Sequence, residues 1–194
     1  MSAGTHRSPL SEVKRAHRRN SRRDLYCFRG SYTGLAIVVA SMLCQCPSAQ
    51  TSEIREQAIV VDGDTLLIRE VSVRLAGIDA PELGQKCTSP KKVEWECGQA
   101  AKRALTDKIG REPISCSQLY LDAYGRVFAT CAASNGHNLS AAMVDAGYAL
   151  AVGSSAKRYA AEEMAARIAG KGMWSGSFQT PWEWLAQQRD VEDE

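Results

Sequence analysis

The chain has 194 residues, 44% of them hydrophobic, and a formal net charge of +2. That length and apolar content fit one globular domain with a true core plus additional segments. The charge is unevenly placed: residues 1–49 hold 8 basic and 2 acidic side chains, leaving 16 basic and 20 acidic from Gln50 onward, a net of −4. The basic character therefore belongs to the N-terminus, and bulk charge attraction of nucleic acid is excluded for the rest of the chain.

The first 30 residues are polar and arginine-rich, and Gly34–Cys44 (GLAIVVASMLC) is an apolar run followed by Pro47-Ser48-Ala49. The run is too short to span a bilayer comfortably, and the order basic, apolar, small reads as a secretory signal over residues 1–49. Ser21-Arg22-Arg23-Asp24-Leu25-Tyr26 resembles a twin-arginine export motif, with Leu25 and Tyr26 as imperfect matches. Cleavage is expected after Ala49. This implies a secreted or periplasmic protein, a transient contact with the export machinery, and no stable membrane span once the signal is removed. The alternatives are an uncleaved membrane anchor or a start codon assigned too early. Cys44 and Cys46 suggest a lipoprotein, but Ser41-Met42-Leu43 is a poor lipobox.

Residues 50–186 read as the folded domain. Gln57–Val61 (QAIVV), Thr65–Ile68 (TLLI) and Val71–Ile78 (VSVRLAGI) predict a three-strand meander, with Arg69-Glu70 as a tight connection. Ala101, Ala104, Leu105 and Ile109 recur at helical spacing, so Cys97–Ile109 is a helix ended by Gly110. Pro113–Tyr120 and Arg126–Ala132 are the next two strands. Asn138 caps a helix over Leu139–Ala146, and Ala156–Ala169 is a third helix ended by Gly170. Five strands with an inserted helix suit a small closed barrel better than a parallel sheet. The expected class is α+β, mainly β: a five-stranded OB-fold barrel with three helices. The acidic tail, residues 187–194, is expected to be disordered.

Four cysteines remain beyond the signal: Cys87, Cys97, Cys116 and Cys131. An even number in an exported domain points to disulfides. If the Asp122-Ala123-Tyr124-Gly125 turn centres a hairpin, Cys116 faces Cys131, and Cys87 then pairs with Cys97 around a short loop. A zinc site is disfavoured, because neither pair has C-x-x-C spacing and the three histidines form no cluster.

Three clusters carry chemistry: Asp62-Gly63-Asp64-Thr65, Arg74 through Glu82 (RLAGIDAPE), and Asp122-Ala123-Tyr124-Gly125-Arg126. Singly, each has a bland reading as a turn or strand end. Together they are harder to dismiss. Arg74 sits in an apolar strand, where an unpaired guanidinium is costly and demands an acid or a bound anion. Asp64 and Asp79, near the ends of adjacent strands, can converge on a hard cation such as calcium. Glu82, three residues on, can act on a water.

On these motifs the chain resembles the micrococcal-nuclease (thermonuclease) family, whose D-G-D-T, R-L-x-x-x-D-x-P-E and D-x-Y-G-R patterns occur here in order, with Gly-Met-Trp-Ser closing the similarity at Trp174. The resemblance implies calcium held by Asp64, Asp79 and the Ala80 carbonyl, with Asp62 behind them. It implies Glu82 as general base or water orienter, Arg74 and Arg126 as phosphate-binding arginines, and cleavage of DNA and/or RNA to 3′-phosphate products. Tyr124 and the loop lysines Lys86, Lys91 and Lys92 are candidate substrate contacts. The chain departs from the family at Gly153 and Ser155, which stand where tyrosines line the nucleotide site; stacking losses weigh about 1–3 kcal/mol per base. Trp174, Trp182 and Trp184 are expected to pack the tail onto the barrel. A monomer is expected. Two other readings stand beside the nuclease: a non-catalytic OB-fold module binding nucleic acid or another polyanion in the cell envelope, and a disulfide-stapled envelope protein with a structural calcium.

Overall fold

The computed structural model describes residues 53–153 and 156–192. Residues 1–49, expected to form an export signal, and Ser155 lie outside the described residues.

The domain begins with β1 (Ile54–Glu56), β2 (Ile59–Val60), β3 (Thr65–Ile68) and β4 (Val71–Leu75). Arg69 and Glu70, which join β3 to β4, both have positive φ (47° and 67°), the geometry of a two-residue turn matched to strand twist. Alternation along these strands sorts the side chains. Leu66, Ile68, Val73 and Leu75 face the core, while Thr65, Ser72 and Arg74 face the other side. After β4 the chain leaves the sheet at Gly77 (φ 79°) and forms β5 (Ile78–Asp79). The single strand expected over Val71–Ile78 is thus two: the left-handed backbone of Gly77 ends the first and turns Asp79 back over it.

A small ribbon follows, β6 (Cys87–Thr88) and β7 (Glu94–Trp95), and then helix α1 (Cys97–Ile109), which packs Ala101, Leu105 and Ile109 into the core. Next come β8 (Ile114–Leu121) and β9 (Val127–Ala132), α2 (Leu139–Asp145), β10 (Leu150–Ala151), α3 (Ala160–Ile168), a 3₁₀ turn at Gly172–Ser175, and α4 (Pro181–Glu192). The main sheet has six strands in the order β1-β8-β9-β4-β3-β2, antiparallel except for the parallel pair β4–β9, and β5 pairs with β10. The fold is α+β and mainly β, a curled half-barrel sheet of the expected OB type. It differs from expectation in a sixth main-sheet strand, β1, and a fourth helix, α4.

That fourth helix corrects the reading of the tail as disordered from Gln187, because the helix runs to Glu192. Its start explains it. Thr180 Oγ1 accepts from the Glu183 amide at 3.4 Å and Glu183 Oε2 accepts from the Thr180 amide at 2.9 Å, a reciprocal cap. The Asn138 cap of α2 is present as expected, its side chain accepting from the Ala141 amide at 2.9 Å. The third helix begins at Ala160 rather than Ala156, with no side-chain cap at its start and Glu162 and Glu163 in its first turn.

Both disulfides form as expected, Cys87–Cys97 and Cys116–Cys131. Near the turn, Leu121 pairs with Val127 and Tyr120 with Phe128; carried straight on, that register would set Cys116 opposite Ala132. A bulge between Ser117 and Tyr120 shifts it by one residue and brings Cys131 opposite Cys116 instead.

Candidate active site

The outer face of β3 and β4 carries the site. Thr65 and Arg74 are cross-strand partners, so Asp64 lies at the mouth of this pair. Asp64 is 2% exposed, and its carboxylate oxygens accept from three donors. Oδ1 accepts from Thr65 Oγ1 at 2.8 Å, and Oδ2 accepts from Arg74 Nη2 at 2.8 Å and the Ala80 amide at 3.0 Å. Arg74 Nη2 also donates to Asp79 Oδ1 at 3.0 Å. The turn after Gly77 is what brings Asp79 within reach. Asp62 Oδ1 accepts from the Asp64 amide at 3.0 Å and closes the loop between β2 and β3.

Gly63 is required here by space. A Cβ at that position would lie 2.7 Å from the Cβ atoms of both Ala80 and Ala101. The D-G-D-T segment is therefore wedged between the β5 turn and α1, and its glycine is a close approach.

The electrostatics follow from four acids around one cation. Burial raises the Asp64 carboxyl above its ordinary value, against the pull of Arg74 and with a push from Asp62. Burial and then the Asp64 charge raise Asp79 to about 6, Arg74 only partly opposing them. Burial, then Asp62 and Asp64, raise Glu82 as well. Burial disfavours the Arg74 charge, but Asp64 and Asp79 outweigh it and raise the guanidinium pKa. The cluster is rich in hard oxygen donors and short of positive charge, which fits a calcium-type cation completed by carbonyls and waters. Among the described residues no three acidic, histidine or cysteine groups converge into a preformed cage; Arg74 lies between Asp64 and Asp79. The residues that could hold a cation are these two carboxylates and the Ala80 carbonyl.

The structure thus brings together Asp62, Asp64, Arg74, Asp79 and Ala80, with Glu82 close enough to feel the Asp62 and Asp64 charges. Arg126 and Tyr124 are at the β8–β9 turn. Asp122 holds that turn, its Oδ1 accepting from the amides of Tyr124 and Arg126 at 2.9 Å each and its Oδ2 from Arg126 Nε at 2.6 Å. Desolvation opposes the Asp122 charge, but these bonds outweigh it and hold the carboxyl below its ordinary value. The Arg126 guanidinium lies 5.6 Å from the ring centres of Tyr124 and Phe128, and Tyr124 is fully open to solvent at 88% exposure. Phe128 is the register partner of Arg74 across the parallel pair, so Arg126 shares the outer face with Arg74 one pleat away.

The loop lysines are outside this constellation. Lys86 lies 3.6 Å from Glu94 and 3.8 Å from Glu96, and Lys91 and Lys92 are exposed. The tryptophans pack as expected in two cases. Trp174 meets Phe178 edge-on at 4.9 Å under the Arg167 guanidinium at 4.3 Å, and the Trp184 ring abuts Gly84. Trp182 stays half-exposed on a groove of about 550 Å³ shared with Trp174 and Phe178. Thr65 and Asp122 join the site from inside the D-G-D-T and D-x-Y-G-R motifs, where the sequence alone does not mark them as site-forming groups, and Gln85 joins it from outside any motif. Gln85 has no local signal, because only the fold shows that a loop glutamine is buried.

The family model described as staphylococcal nuclease homologue matches residues 72–176. The micrococcal nuclease of Shigella flexneri is 29% identical over 181 residues, covering 84% of this chain and 98% of that protein. The succinoglycan biosynthesis protein ExoI of Rhizobium meliloti (strain 1021) is 28% identical over 170 residues, covering 85% and 89%. The probable staphylococcal-like nuclease CAN2 of Oryza sativa subsp. japonica is 30% identical over 131 residues, 66% of this chain but only 33% of the rice protein.

Proposed function

Because the chain belongs to the staphylococcal nuclease homologue family, we propose that it is an exported, calcium-dependent phosphodiesterase that cleaves DNA and/or RNA to 3′-phosphate products. The observation that carries this reading is the acid cluster pinned by Arg74, with Asp64 buried and Asp79 raised to about 6. Asp64, Asp79 and the Ala80 carbonyl would hold calcium, and Asp62 would brace Asp64. Calcium bound there would supply positive charge beside the scissile phosphate. Arg74 and Arg126 pair with the non-bridging oxygens and stabilise the charge that grows on them. Glu82, its carboxyl raised above its ordinary value by burial and by Asp62 and Asp64, orients the attacking water and takes its proton. The water oxygen bonds to phosphorus, the bond from phosphorus to the 5′ oxygen breaks, and that oxygen is protonated from solvent. Tyr124, at the open edge of the site, offers a face for a base. Lys86, Lys91 and Lys92 are a locally basic rim for the strand.

Both disulfides support function in an oxidising compartment outside the cytoplasm. Among the described residues no helix is long and apolar enough to cross a membrane. A second reading, a non-catalytic polyanion-binding module of the cell envelope, draws on Gly153 and Ser155 standing where the family's nucleotide-site tyrosines would be and on a relative named for succinoglycan biosynthesis. One assay separates the two. The oxidised chain is incubated with single-stranded DNA or RNA, with calcium or a chelator, and product ends are analysed. Calcium-dependent fragments bearing 3′ phosphates are expected. Intact substrate bound without cleavage would select the second reading.

A further inference from the structure

Gln85 is fully buried (0% exposed), although its loop neighbours Gly84 and Lys86 are open to solvent. A buried amide left unmatched costs about 1–3 kcal/mol, and here both ends are used. Oε1 accepts from the Glu82 amide at 3.3 Å, and Nε2 donates to the Gln179 carbonyl at 2.7 Å. The Gln85 amide in turn donates to the Glu82 carbonyl at 2.8 Å. One residue therefore holds Glu82 at both its N–H and its C=O.

Gln85 is itself held from behind. Its carbonyl accepts from the Gly98 amide at 3.2 Å, one of the first-turn donors of α1 that lack a partner within the helix. The same carbonyl lies 3.4 Å from Cys97 Sγ. That sulfur is bonded to Cys87 and carries no proton, so this is a packing contact. Gly98 has no room for a side chain, since a Cβ would run into the Glu82 carbonyl oxygen. Just past the bridge, Thr88 and Ser177 exchange two backbone bonds at 2.8 and 2.9 Å and fix the C-terminal segment that supplies Gln179. Glu82 is thus enclosed by a frame of Gln85, the Cys87–Cys97 bridge, the start of α1 and the strand-like segment before α4.

We infer that Gln85 is a positioning residue for Glu82, and that the Cys87–Cys97 bridge closes the frame through which it acts. The inference rests on the reading of Glu82 as the group that handles the attacking water. Turnover then depends on the oxidised bridge. Closing it removes two protons and two electrons from the thiols to a disulfide oxidant, and a dithiol reductant returns them. The effect falls on the placement of Glu82, leaving the calcium ligands and the substrate arginines in position.

The test compares Gln85→Leu, Glu82→Ala, their combination, and Cys87→Ala/Cys97→Ala, all in the full oxidised chain on single-stranded DNA with calcium. Each variant is assayed below its own melting midpoint, and its calcium affinity is measured alongside. Gln85→Leu should lower kcat by about 10- to 100-fold, the scale of a small misplacement of a catalytic group, and leave KM and calcium affinity unchanged. The cysteine pair variant, which keeps Cys116–Cys131, should lower kcat in the same way without touching Gln85. Adding Gln85→Leu to Glu82→Ala should change nothing further, because both act through one carboxylate. An equal loss in the two backgrounds, or an unchanged kcat in Gln85→Leu while Glu82→Ala is impaired, overturns the inference alone. A normal rate in Glu82→Ala overturns the role of Glu82 and the inference with it.

Discussion

At Asp79 the competition between burial and Arg74 decides the chemistry. Its carboxyl is raised to about 6, whereas an unfolded aspartate titrates at about 3.9. The sign follows from linkage: a raised folded value contributes stability below about pH 4 that is lost as pH climbs through about 6. Without calcium, this group should therefore make the protein more stable as pH falls from 7 toward 4. Calcium needs the ionised carboxylates, so its stabilisation should be largest above pH 6 and fade below it. At a hundredfold excess over Kd it would raise stability by about 2.7 kcal/mol. Melting curves from pH 5 to 8, with and without calcium, check both slopes. Gly63 sets a steric rule beside this electrostatic one. Gly63→Ala should push apart Ala80 and Ala101, each 2.7 Å from the added carbon. The expected loss is about 1–3 kcal/mol together with calcium affinity, and denaturant unfolding and calcium titration measure the two.

Among the elements, the β3–β4 turn is a place where sequence and geometry disagree. Glu70 holds φ 67°, a conformation that costs a residue with a side chain about 1–2 kcal/mol. Glu70→Gly should raise stability by about 1 kcal/mol, seen as a higher denaturant midpoint at unchanged slope. The elements read most easily from sequence were those with an unambiguous period or cap. Helix α1 has its bounds as expected, and Asn138 caps α2 as expected. The motif aspartates and Arg74 were also legible, because an arginine in an apolar strand demands an acid. Three features were not legible, for physical reasons. The break at Gly77 hides inside a continuous apolar run. Strand β1 (IRE) has too few residues to show alternation, and its pairing with β8 is a long-range contact. The bulge that aligns Cys116 with Cys131 is a backbone register shift, which no residue type announces. Gln85 belongs with these, since its burial exists only once α1 and the C-terminal segment close over it.

For the whole molecule, the acidic domain and its two disulfides set the frame. A cluster of carboxylates around the buried Asp64, inside a domain of net −4, gains from a cation, so calcium should act on stability and on chemistry together. Removing the Cys116–Cys131 bridge, which spans a separation of 15 residues, should cost about 3 kcal/mol by loop-closure entropy. It should leave kcat intact at temperatures where the variant is folded, because this bridge lies away from Glu82; thermal melts and turnover on the same samples check it. On the proposed mechanism a single carboxylate, Glu82, handles the attacking water. That role is tested by the turnover of Glu82→Ala against the wild-type chain, both oxidised, on single-stranded DNA with saturating calcium. In Glu82→Ala kcat should fall by about 100- to 10,000-fold with calcium-dependent stabilisation retained. Wild-type turnover in a folded, calcium-binding Glu82→Ala protein would contradict the mechanism.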